Sequence, residues 1–124
     1  MALYHMTLGF PKTLNLPTHR FPLLYSRHAQ NASKNDRYGD FSHLLVFHTH
    51  LDPRSATIIE IETNDATSQV VKVVYRLPLA PGNDFDVCFA VMMLPNGGRL
   101  VKTCWLNEKG DKHQTLKQGR YSRP

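Results

Sequence analysis

The segment "FDVCFAVMML" (Phe85 to Leu94), followed by "PNGG" and then "RLVKTCWL" (Arg99 to Leu106), constrains the fold more than any other stretch. A nearly unbroken apolar run is what a central strand covered on both faces looks like. The Asn96-Gly97 pair takes positive φ readily, so "PNGG" predicts a tight turn and an antiparallel return. On the returning strand, a period of two puts Val101, Thr103 and Trp105 on one face. Leu100, Lys102, Cys104 and Leu106 fall on the other.

A second hairpin precedes it. "TIIEIE" (Thr57 to Glu62) and "QVVKVVYRL" (Gln69 to Leu77) flank the turn-like "TNDATS". Alternation along the second strand gives a core face of Val71, Val73, Tyr75 and Leu77, and an opposite face of Val70, Lys72, Val74 and Arg76. "SHLLVFHTHL" (Ser42 to Leu51) has strand composition and is stopped by Pro53. Upstream, Ser26 predicts an N-cap, Arg27 to Lys34 two helical turns, and Gly39 the end of the segment. Ala29 and Ala32 suit close packing on a sheet, with His28 near the packed side.

The first 24 residues carry Pro11, Pro17 and Pro22 and predict an extended arm or edge strand. Its apolar residues, among them Leu14, Leu16, Phe21, Leu23 and Leu24, are too many for a free tail and call for packing on the body or on a partner. After the last strand, "NEKGDKHQTLKQGRYSRP" is polar, and Asp111 could cap a single turn holding His113 and Leu116. The expected architecture is α+β: an arm over residues 1–24, then one domain over 25–124 with a short helix and a four- to five-stranded antiparallel sheet. At 124 residues there is room for one core and not for two.

Charge and cysteine usage narrow the function classes. Fifteen Lys and Arg against ten Asp and Glu give a formal +5, which favours anionic partners such as RNA and DNA. Cys88 and Cys104 both sit in strand-like runs without zinc spacing; buried reduced thiols are the simple reading, and an inter-strand disulfide is the alternative. No run reaches the length that spans a bilayer, and the N-terminus lacks a signal-peptide pattern, so a soluble intracellular protein is expected, with no membrane contact.

Three chemistries are open to residues of these types. His48 and His50 in "HTH" would share one side of a strand, with Glu60 and Glu62 on the next, but no third ligand stands at a recognised spacing, so no metal site is assigned. There is neither a phosphate-binding glycine loop nor a nucleophile elbow, and no cofactor is implied. Metal-independent RNA cleavage needs a base, an acid and cations converging on one face. Candidates for it are His28, Arg37, Lys72, Arg76, Lys102, Thr103, His113 and Tyr121, with Lys112 and Arg120 as further nucleic-acid contacts.

"SRHAQNASKNDRYG", "KVVYRLPLAPGNDFDVCFAV" and "GGRLVKTCWLNEKGDKHQTLKQGRYSRP" resemble a set of small, often phage-encoded proteins. These share a His-Ala helix, an Asp-Arg-Tyr-Gly element and a C-terminal K-T-x-W-L-N, H-x-T-L, R-Y block. That pattern is similar in architecture to ribonucleases of the barnase, colicin D and RelE type. The resemblance implies catalytic roles for His28, Lys72, Arg76, Thr103, His113 and Tyr121, with Arg37, Lys102, Lys112 and Arg120 on RNA, in a host cytoplasm. The alternative is a non-enzymatic protein that grips a host or virion protein through residues 1–24 and a sheet edge. The two readings differ geometrically: the enzyme needs His28 and His113 within about 10 Å of Lys72 or Arg76 around one cleft. The binder needs the arm's apolar side chains exposed or set against another chain.

Overall fold

The computed structural model describes residues 2–5, backbone only, and 14–111. Four long antiparallel strands form its centre: β5 (Thr57–Thr63), β6 (Val70–Pro78), β7 (Phe85–Met93) and β8 (Arg99–Glu108). Two short strands complete the sheet. β1 (Ala2–His5) adds antiparallel beside β5, and β3 (Leu24–Tyr25) adds parallel beside β8, giving six strands among the described residues in the order β1-β5-β6-β7-β8-β3. The α+β class and the mostly antiparallel sheet agree with the sequence, and the parallel edge contributed by the arm is new.

The β7–β8 turn forms at the Asn-Gly pair, with positive φ at the glycine and not at Asn96. Gly97 has φ +85°, its N–H donates to the Leu94 carbonyl at 3.0 Å, and the Asn96 side chain accepts from the Gly98 N–H at 2.9 Å. The one α-helix among the described residues, α1 (Arg27–Lys34), starts where Ser26 Oγ accepts from the Ala29 N–H at 3.0 Å. The same hydroxyl donates to the Lys102 carbonyl at 2.9 Å, so one serine both caps the helix and moors it to β8. Ala29 and Ser33, four apart, are the buried helix positions, and His28 is exposed. The expected packed side is thus rotated by one residue from His28.

α1 covers one face of the sheet. Ala29 meets Phe21, Leu23, Phe41, Leu51, Ile61, Val73, Tyr75, Phe89, Val101, Cys104 and Leu106 in the main core. Phe89 lies at its centre, 5.9 Å edge-on from the Tyr25 ring and 5.4 Å from the His48 imidazole. Phe21 and Leu23 from the arm are buried there, and Leu14 and Leu16 pack against it. Most of the arm's described apolar side chains are therefore spent on the protein's own core; Leu24, 63% exposed, is the exception.

Two expectations are corrected. Ser42–Phe47 is a 3-10 helix, and only His50–Leu51 (β4) is extended, paired with Phe21–Pro22 (β2). The main sheet ends at β1 and β3, and Ser42–Phe47 pairs with neither of these edge strands. Instead Asp40 fixes the turn, accepting from the Ser42 N–H at 2.8 Å and hydroxyl at 2.7 Å, and buried Phe41 anchors it. The second correction concerns β8. Thr103 pairs with Ala90 but Val101 pairs with Val91, so one extra residue is inserted at Lys102. This bulge reverses the alternation. Val101 joins Cys104 and Leu106 in the main core, while Trp105 packs on the opposite side.

Candidate functional site

The two faces of the sheet carry different chemistry. On the face away from α1, Ile59, Val74, Cys88 and Ala90 form a small second core that Trp105 packs against. A bulge in β5, where Ile58 pairs with Tyr75 and Glu60 with Val74, sets Glu60 opposite Val74 on this face. Lys72 and Arg76 flank Val74 by strand alternation, and Thr103, paired with Ala90, stands on the same face two strands away.

Lys72, Arg76 and Thr103 are therefore brought to one surface, as expected. Both cations are committed there. Arg76 Nε donates to the Asp86 carboxylate at 2.8 Å, and its Nη2 donates to the Glu108 carbonyl at 3.0 Å, with only 10% of its side chain exposed. Lys72 Nζ lies 3.7 Å from the Glu62 carboxylate. Glu60 is fully buried, and burial pushes its carboxyl up to about 7; Lys72 opposes that rise and Glu62 adds to it. Across this face carboxylates match or outnumber cations, which leaves no surplus positive field for a phosphate.

His28 is on the other side of the sheet, exposed on α1. The structure does not bring it to Lys72 and Arg76. Lys102 is exposed at the β8 bulge, and Arg37 is exposed with its guanidinium 4.8 Å over the Tyr38 ring. His113, Tyr121, Lys112 and Arg120 lie outside the described residues.

The histidine pair separates as well. His48 is buried, and its Nε2–H donates to the Leu79 carbonyl at 2.7 Å, which makes it a satisfied core residue; His50 is exposed. Among the described residues no group of three His, Cys, Asp or Glu side chains could hold one metal ion. The thiols are free, buried and on opposite faces, so they cannot pair: Cys104 donates to the Ala29 carbonyl at 3.4 Å, and Cys88 accepts from Asn107 Nδ2 at 3.4 Å. Burial raises both to about 12, which keeps them protonated and unreactive.

The α1 side holds the feature that sequence reasoning missed. A groove of about 580 Å³ runs between α1, β3 and the 3-10 helix, lined by Leu24, Tyr25, Lys34, His43, Leu45 and Val46 among others. Leu24 is 63% exposed, Val46 66% and the adjoining Phe47 70%, although Leu44 and Leu45 of the same turn pack inward. Large apolar side chains held this far into water by an ordered turn do nothing for the fold that bears them. A strand assignment for 42–51 conceals this patch, because alternation would bury half of it; Asp40 followed by Phe41 and Ser42 is the one sequence signal for the turn.

Compared with known proteins, the chain matches no family model, no curated protein and no solved structure. No helix among the described residues is long and apolar enough to cross a membrane.

Proposed function

We propose that this protein acts by binding another protein, with the groove between α1, β3 and the 3-10 helix as its docking site. The observation that carries the reading is the exposed strip of Leu24, Val46 and Phe47 along that groove. Leu24 belongs to the arm and to the edge strand of the sheet, so the two places from which a binder was expected to act meet here. Support for ribonuclease chemistry is weaker. Lys72 and Arg76 are engaged by Glu62 and Asp86, and the helix histidine lies across the sheet from them.

The test is a paired one. Immobilised wild-type protein and a Leu24→Asp/Val46→Asp variant are incubated in lysate of the cells that encode the gene, and both are assayed on total RNA with and without chelator. Retention of a defined protein by the wild type alone, with RNA intact, is expected. Identical retention by the variant sinks the groove as the site. Chelator-resistant cleavage that His28→Ala or His113→Ala abolishes restores the enzyme reading.

A further inference from the structure

The groove has a sign as well as a shape. Its basic lining residues are Lys34 and His43, with no carboxylate among them. Arg27 continues the row upstream, since Arg27, Gln30 and Lys34 follow the i, i+3, i+7 spacing of one helical face, and both cations are exposed. Asp40 stands near Lys34 and His43; its carboxylate takes the Ser42 N–H and hydroxyl and is held below the usual range first by those bonds and then by His43 and Lys34, so it offsets part of their charge. Nothing acidic lies upstream. The first 35 residues contain four Lys or Arg and no Asp or Glu, so no nearby segment of the arm cancels this field.

Resting on the docking role argued above, we propose that the occupant is an acidic amphipathic segment of another protein, its apolar side chains against Leu24, Leu45 and Val46 and its carboxylates facing Lys34, Arg27 and His43. Charge complementarity selects this occupant over the alternatives. A second copy docked about a two-fold axis would bring Lys34, Arg27 and His43 against their own equivalents. Residues 1–35 and 112–124 cannot supply the acids, because neither stretch contains Asp or Glu. A nucleic acid would satisfy the cations but leave Leu24, Val46 and Phe47 facing phosphate and sugar.

The probes are three synthetic amphipathic peptides with the same leucines and phenylalanine, carrying Glu, Gln or Lys at every polar position, titrated into the full-length protein labelled with ¹⁵N. The Glu peptide is expected to shift the amides of Leu24, Lys34, His43 and Val46 and to bind about tenfold more tightly than the Lys peptide in low salt. That preference shrinks in 0.5 M salt, where the screening length falls to about 4 Å. Lys34→Glu, an exposed change that leaves the fold in place, is expected to abolish it. Equal affinities, or tighter binding of the Lys peptide at the same amides, overturn the acidic occupant and leave the groove as a docking site. If none of the three peptides shifts these amides, the inference and the docking role fall together. A single-stranded RNA oligonucleotide that displaces the Glu peptide, or concentration-dependent dimerisation that causes the same shifts, likewise overturns it in favour of a nucleic acid or a second copy.

Discussion

The two faces of this sheet invert the usual distribution of polar and apolar side chains. Away from α1, charged groups are buried: Glu60 is fully enclosed, Arg76 nearly so, and Lys72 and Arg76 each face a carboxylate. Beside α1, apolar groups are exposed, with Leu24, Val46 and Phe47 around a groove whose charged lining is cationic. A buried charge with a partner is costly to disturb and of little use to a ligand, because its field is already neutralised. An exposed apolar strip contributes little to stability and is available to a partner. The lesson is that a cation's position on a strand says little about function until its counter-charge is known.

Removing Arg76 tests this contrast most severely. Arg76→Ala leaves Asp86 half-buried without its guanidinium, and a loss of about 3 kcal/mol is expected by urea denaturation. A change below about 0.5 kcal/mol would mean that the pair is dispensable and that Arg76 is free for another role.

Next in size is the pH dependence set by Glu60. Its carboxyl is raised in the folded protein from 4.5 to about 7. A raised carboxyl means that the unfolded chain ionises first. Stability is therefore full below about pH 4.5 and is lost as pH rises from there through 7, by about 2 kcal/mol after discounting for solvent. Glu60→Gln is expected to flatten this decline, measured as urea midpoints between pH 5 and pH 8.5. A profile identical to wild type would show that Glu60 ionises normally and that the second face is wetter than its packing implies.

On the groove side the expected effects on stability are small. Val46→Ser combined with Phe47→Ser should change unfolding free energy by no more than about 0.5 kcal/mol, because both side chains are already in water. Loss of 2 kcal/mol or more would make them structural and end the contrast between the faces. His28→Ala should be smaller still, within about 0.3 kcal/mol, since the imidazole is exposed on α1. Its circular dichroism and melting curve should overlay those of the wild type.

Much of the scaffold was legible in the chain. The β7–β8 hairpin, the β5–β6 hairpin, the Ser26 cap and the extent of α1 follow from local rules: turn chemistry at Asn96-Gly97, alternation in β6, and a serine ahead of a short helical run. The candidate site was legible only in part. Lys72, Arg76 and Thr103 share a face as alternation implies, but their partners Glu62 and Asp86 come from neighbouring strands, and strand composition did not single them out.

What the sequence determined by itself is therefore the set of strong local elements and the overall charge. Backbone propensities, caps and turns act within a few residues and need no knowledge of neighbours. Tertiary structure decided the rest. The bulges at Ile59 and Lys102 reset which side chains point where, and only cross-strand register reveals them. Ser42–Phe47 forms a 3-10 turn instead of a strand, with buried Phe41 ahead of it and with Val46 and Phe47 in solvent. The physical reason is the same in each case: cross-strand register and the sign of a buried neighbour are properties of the assembled fold, fixed by contacts far apart in the chain.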